Sequence, residues 1–206
     1  ERAYHGMNIG ATSVGGMINN VKTFASILMP GVLHMRHTHL QEHKFISGQP
    51  DTGDELAEDL ERICANFGGE NIAACIVEPI AGSTGTLVPP KGYLNKLREI
   101  CDKHGILLIF DEVITGWGRT GSPFASQEFN VTPDMMTMAK ATTNGVVPMG
   151  VVACKEEIYD AVMEASPKGA VELFHGYTYS GIPVSVAAAL AVQDIIEKDD
   201  IFNRAK

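Results

Sequence analysis

The chain has no apolar run long enough to cross a membrane as a helix, no cluster of lysine and arginine, and no C-x-x-C pair among its four cysteines. Each gap excludes something. With no basic stretch and a net charge of −9, a nucleic-acid surface has nothing to build on. Cys64, Cys75, Cys101 and Cys154 are not spaced as pairs, and three of them lie in apolar periodic stretches. That fits reduced thiols and a cytoplasmic location better than a disulfide framework. Residues Glu1 to Gly6 lack the basic start and apolar core of a signal peptide. The chain does not begin with Met and ends inside a charged helical pattern, so it reads as a fragment or trimmed domain. What is present is ordinary for one α/β domain: 206 residues, 45% hydrophobic and 20% charged.

Residues 1–53, rich in glycine, histidine and asparagine, read mostly as loop. Leu56, Leu60, Ile63 and Phe67 recur at helical spacing and predict a helix over 54–67, capped by Asp54 and ended by Gly68-Gly69. Ile72 to Val77 is apolar without alternation, as a strand covered on both faces is. Tyr93 to His104 predicts a helix with Leu94, Leu97 and Cys101 on one side and Gly105 as its stop. Ile106 to Phe110 is a second covered strand, closed by Asp111-Glu112. Met135 to Ala139 is a shorter strand that delivers Lys140, and Val146 to Cys154 is a candidate weakened by Pro148 and Gly150. Residues 156–165 read as a helix, and 183–198 as a small-residue helix suited to packing closely on a sheet. Strands alternating with helices predict a mostly parallel sheet. Ligands of such sheets bind beyond the carboxyl ends of the strands. Glu78, Asp111 and Lys140 each follow directly on an apolar run and share that position.

Lys140 is the one charged residue between Asp134 and Lys155. Taken alone, the stretch favours a lysine at a strand end whose head reaches water. A buried amine of lowered pKa would instead attack a carbonyl. Asp111 shifts the balance: a carboxylate after five apolar residues needs a cationic partner. An acid and an amine at neighbouring strand ends suit pyridoxal phosphate, whose aldehyde takes a lysine and whose ring nitrogen takes an Asp. Glu78 reads either as a hydrogen-bonding group at the rim of such a site or as a supporting carboxylate. His34, His37, His39 and His43 lie in a loop without acids or cysteines at ligand spacing, so no metal is expected. Gly10 to Gly16 lacks G-x-G-x-x-G and a following Lys-Ser/Thr, so it is a poor phosphate loop. Phe174 to Gly181, dense in hydroxyls before a helix, suits either an anion or plain capping.

Together these residues resemble one family. Tyr4-His5-Gly6, Val77-Glu78-Pro79-Ile80-Ala81-Gly82-Ser83, Leu108 through Gly116, Met138-Ala139-Lys140, Asn144 through Gly150 and His175 through Ser180 are similar, in this order, to blocks of the class III, fold-type I aminotransferases that use pyridoxal phosphate. The likeness is greatest to the omega-amino acid (β-alanine):pyruvate aminotransferases. It covers nearly the whole chain and implies a three-layer α/β domain with a mostly parallel sheet. Residues 1–206 would then be part of the large cofactor-binding domain, without the small C-terminal domain. The family's upstream Gly-Ser-x-Ala segment and its C-terminal carboxylate-binding arginine have no counterpart here. Ile114 and Ser83 depart from the Gln and Glu of some relatives, which argues against ornithine-type specificity.

The resemblance implies roles residue by residue. Lys140 would form a Schiff base with the cofactor's aldehyde and shuttle the substrate's proton. Asp111 would pair with the pyridinium nitrogen. Val113 would pack on one ring face and Tyr4 would cover the other. Thr178 would bind the cofactor phosphate of the neighbouring subunit, which implies a homodimer or a dimer of dimers. His5 and Glu78 would support the site. The implied reaction moves an amino group from an omega-amino acid or amine to a keto acid such as pyruvate. Another class III enzyme, such as a different transaminase or a glutamate-1-semialdehyde-type aminomutase, and an inactive fragment are the alternatives.

Overall fold

The computed structural model describes residues 1–171 and 173–205. Its centre is a four-stranded sheet in the order β1-β2-β3-β4, with β1 Ala74–Val77, β2 Leu107–Asp111, β3 Met135–Met138 and β4 Val151–Cys154. β1, β2 and β3 run parallel, and β4 returns antiparallel to β3. Among the described residues, eight α-helices accompany it: α1 Ile9–Val14, α2 Ile18–Phe24, α3 Glu58–Phe67, α4 Tyr93–His104, α5 Ala125–Glu128, α6 Glu156–Glu164, α7 Pro183–Lys198 and α8 Ile201–Ala205.

The core forms where α3 and α4 meet one face of the sheet. Leu94, Leu97, Ile100 and Cys101 bring one stripe of α4 inward, and Leu60 and Cys64 of α3 meet it. The alternation of β2 supplies Leu108 and Phe110, both fully buried. Each such leucine contributes about 1.5–3 kcal/mol by leaving water. α4 ends where the sequence predicts, at Gly105, whose φ of 68° is left-handed and whose N–H bonds the carbonyl of Cys101.

Five expectations need correction. The strands are not covered on both faces: Leu107 and Ile109 are half-buried, and Ala74 of β1 is exposed. β1 is an edge strand among the described residues, and a cavity of about 590 Å³ runs beside it, lined by every residue from Asn71 to Pro79. Asp54 does not cap a helix: it opens a 3-10 turn, Asp54–Ala57, that precedes α3, and its carboxylate faces Lys96 at 3.6 Å. The strand expected from Val146 begins only at Val151, because Asn144–Gly150 is loop. α7 lies over the turn after β3, through Ser185 Oγ donating to the Pro148 carbonyl at 3.1 Å, and buries only Ser185 and Ala189. The first 53 residues, expected mostly as loop, hold α1 and α2. The Asn8 side chain caps α1 by accepting the Ala11 N–H at 2.8 Å.

The amino-terminal end of the sheet is closed by Asp134. One carboxylate oxygen accepts the Leu108 N–H at 2.7 Å and Arg98 Nη1 at 2.8 Å, and the other accepts Lys155 Nζ at 2.7 Å. Burial alone would raise its pKa, but bonds from Lys155, Leu108 and Arg98 hold it below the ordinary Asp value. A depressed folded-state pKa means that the unfolded chain takes up the proton first. The stabilisation is complete above the ordinary Asp value and is lost as pH falls through the depressed one. Asp134→Ala is expected to lower stability by about 3 kcal/mol at neutral pH. The gap in urea midpoint between it and the parent protein, followed by circular dichroism, should narrow below about pH 4. A gap that is constant with pH would mean that the carboxylate's charge contributes nothing.

Candidate active site

The parallel register puts three strand ends on one edge. Val77 pairs with Phe110, Asp111 pairs with Thr137, and Met138 lies opposite Val151. Glu78, Asp111 and Lys140 therefore leave the sheet on the same side, as the sequence pattern predicts.

Asp111 is the last residue of β2, and its side chain is only 7% exposed. Its partner is not Lys140 but His5, whose ring is 3% exposed and whose Nδ1 lies 2.8 Å from Asp111 Oδ2. A carboxylate only accepts, so Nδ1 carries the proton in this pair. Asp111 Oδ1 accepts the Val113 N–H at 3.0 Å, which orients the carboxylate from the other side. His5 is delivered by the Tyr4-His5-Gly6 segment, which is tied to Glu78. The Tyr4 N–H donates to Glu78 Oε1 at 2.8 Å, and the Gly82 N–H donates to Glu78 Oε2 at 2.9 Å. Glu78 is thus a buried tether for backbone rather than a rim group.

Lys140 departs from the expectation of a buried amine: it is exposed. The apolar run around it ends with β3, and the chain turns out of the sheet at Ala139, so among the described residues no element covers the side chain. Lys140 opens a 3-10 turn, Lys140–Thr142, in a left-handed conformation with φ of 44°. The Thr-Thr-Asn-Gly that follows is the predicted turn: Asn144 has φ of 51° and Gly145 φ of 74°, and the Gly145 N–H bonds the Lys140 carbonyl at 3.1 Å. Both threonines are buried. Thr143 Oγ1 donates to the Val147 carbonyl at 2.6 Å, and Thr142 Oγ1 donates to the Ala139 carbonyl at 3.0 Å.

Of the remaining expected residues, Val113 and Tyr4 are half-buried at this edge. Thr178 is not brought to the site; it is exposed, in a turn over residues 178–181. The hydroxyls of that stretch do not cap α7, whose cap position is Ile182 without a side-chain bond. Glu112 carries more than its sequence position suggested. Fully buried, it accepts Thr115 Oγ1 at 2.5 Å, the Ala125 N–H at 3.0 Å and the Ser126 N–H at 2.8 Å. It pins the start of α5 beneath the loop that follows Asp111. Among the described residues, no group of three His, Cys, Asp or Glu side chains could hold a metal. His34 and His43 instead bond backbone carbonyls, those of Gly15 and Thr38.

The donor set has room for a ligand. A carboxylate offers about four lone-pair sites, and Asp111 uses two of them, on His5 and Val113. A protonated ring nitrogen can take another. Lys140 presents a primary amine on the same edge. The cavity beside β1 touches this arrangement only through His5 and Glu78; Asp111, Val113 and Lys140 do not line it.

Comparison with known proteins gives a consistent picture. Residues 1–206 match the family described as aminotransferase class-III. The chain is similar to the omega-aminotransferase of Caulobacter vibrioides, 56% identical over 206 residues, covering all of this chain and 46% of that protein. It is also similar to the β-alanine–pyruvate aminotransferase of Pseudomonas aeruginosa, 50% identical over 99% of this chain and 46% of that one. Among solved structures, the omega transaminase of Pseudomonas jessenii in complex with PMP superimposes with a TM-score of 0.87 at 34% identity, covering 98% of this chain and 44% of the other. The chain thus spans less than half the length of the proteins it matches.

Proposed function

Because the chain belongs to the class III aminotransferases, we propose that the intact protein is a pyridoxal-phosphate-dependent transaminase that moves an amino group from an omega-amino acid or amine to a keto acid such as pyruvate. The observation that carries this reading is the buried, His5-held Asp111 on the same sheet edge as the exposed amine of Lys140. The PMP complex of the Pseudomonas jessenii enzyme and the name of the Pseudomonas aeruginosa relative support the cofactor and the substrate class.

Bound pyridoxal phosphate supplies a reactive aldehyde and a ring that accepts electron density from the substrate. The chain's own residues do the rest. Lys140 would hold the cofactor through its aldehyde, and its free Nζ would take and return the substrate's proton. Asp111 would hold the ring N–H with a free lone pair, and its negative charge would be worth most where electron density gathers during reaction. His5 and the Val113 N–H keep that carboxylate from turning away. Val113 and Tyr4 flank the ring, with Tyr4 fixed through its backbone by Glu78. Thr178 serves the cofactor phosphate of a neighbouring subunit. Its exposure fits a homodimer or dimer of dimers, as does that of Phe174, Tyr177 and Tyr179 around it. Residues 1–206 form part of the large cofactor domain. The free thiols fit a reducing cytoplasm.

The test is to load the intact protein with pyridoxal phosphate and incubate it with β-alanine and pyruvate. Alanine is the expected product. A protein that shows the visible absorbance of lysine-bound cofactor but forms no alanine would belong to another class III reaction.

A further inference from the structure

The chain has one tryptophan, and it sits in an unusual place. Trp117 lies in the loop between Asp111 and α5, with a left-handed φ of 61°. Its Nε1 donates to Thr142 Oγ1 at 2.9 Å. Thr142 is two residues beyond Lys140, and its hydroxyl passes its own proton to the Ala139 carbonyl. That carbonyl belongs to the peptide group joining Ala139 to Lys140, whose plane sets the φ of Lys140. A hydroxyl has one proton to give and indole N–H only donates. The relay therefore has a single direction, from Trp117 through Thr142 to the peptide ahead of the lysine.

Two non-glycine residues in the left-handed region, bridged by one hydroxyl, form a strained arrangement that lasts only where the surroundings over-determine it. They do so here. Trp117 packs edge-on against Phe124, with ring centroids 5.2 Å apart. Phe124 precedes α5, whose first N–H groups are bonded to Glu112, the neighbour of Asp111. A continuous path of packed and hydrogen-bonded groups thus runs from the acid at the end of β2 to the turn that presents the amine. Gly116, next to Trp117, allows it: a Cβ there would lie 2.8 Å from the Glu112 carbonyl.

We propose that Trp117 and Thr142 are positioning residues for Lys140, fixing through the Ala139 carbonyl how the amine is presented to the ring that Asp111 holds. This rests on the transaminase reading above, and the experiment separates the two. In the intact protein, Trp117→Phe is expected to weaken loading with pyridoxal phosphate about tenfold, the size of one lost hydrogen bond, and Thr142→Val at least as much, because it also removes the bond to the Ala139 carbonyl. Both should change the visible circular dichroism of the bound cofactor and lower kcat more than they raise KM for the amine. The double variant should be no worse than Thr142→Val alone, because that change already removes the bond that Trp117 makes. Thr142→Ser, which keeps the hydroxyl, should behave like the parent.

The same tie is read without cofactor. In the unloaded protein, amides of residues 142–145 should exchange about tenfold faster in Thr142→Val than in Thr142→Ser. Should Trp117→Phe fail to fold, the Val and Ser variants at 142 decide the matter alone. Unchanged loading and dichroism in folded variants, additive effects, or a Ser variant as impaired as Val would each overturn the proposal. A parent protein with no lysine-bound absorbance would overturn the transaminase reading instead, while the exchange measurement still reports on the tie.

Discussion

Lys140→Ala should leave the intact protein without the visible absorbance of lysine-bound pyridoxal phosphate and lower amino transfer by about 10⁴-fold or more. The expectation is this large because the proposed reaction gives one side chain two tasks, bonding the cofactor and moving the proton, and among the described residues no other lysine directly follows β1, β2 or β3. Lys96, Lys103 and Lys155 are held in ion pairs with Glu58, Glu61 and Asp134, and none of them lies at the carboxyl edge. The loss should be chemical rather than structural. Lys140 is exposed and its side chain makes no hydrogen bond or ion pair among the described residues, so its removal should change stability by no more than about 0.5 kcal/mol. Lys140→Arg distinguishes charge from nucleophile: it keeps the charge and should lose the absorbance all the same. A band that persists in either variant would place the cofactor on another lysine.

Asp111→Asn is the second large effect, and it should separate binding from rate. The amide keeps the shape of the carboxylate and can still accept the Val113 N–H, so the lysine-bound absorbance should remain. What is lost is negative charge facing the ring nitrogen, together with an acceptor for His5 Nδ1. Removing one such pre-organised electrostatic group costs about 10²–10³ in rate. The fall should appear in kcat and kcat/KM together, because the interaction strengthens only as electron density reaches the ring. The urea midpoint should fall modestly, by about 1–3 kcal/mol in stability, because the buried His5 N–H loses its acceptor. An Asn variant of undiminished kcat would remove Asp111 from the chemistry and leave it a structural anchor for His5.

Much of this was legible in the residues. α4 and α7 fall where the apolar periodicity and the Gly105 and Pro183 signals put them, because both follow from local geometry. The alignment of Glu78, Asp111 and Lys140 on one edge could also be read, since each breaks an apolar run at its end. The exposure of Lys140 could not, because burial depends on what lies over a strand end, and an apolar sequence neighbourhood says nothing about that. β1 misled for a related reason: its continuous apolar run describes a strand with neighbours on all sides, and in this chain one side is open. Glu112 was hidden by distance, its two backbone donors lying 13 and 14 residues further along. The tie between Trp117 and Thr142 spans 25 residues and was equally out of reach of any local pattern.

Asp134 stands at the opposite end of the sheet from Asp111 and Lys140, and this separation bears on how such a protein can change over generations. The groups that fasten β2, β4 and α4 to one another gather at the amino-terminal end, away from any ligand. The candidate site residues Glu78, Asp111 and Lys140 sit at strand ends and turns at the other end. Substitutions that retune those turns draw little on the margin of stability that keeps the chain folded. An arrangement of this kind leaves substrate preference free to drift while the acid and the amine stay in place.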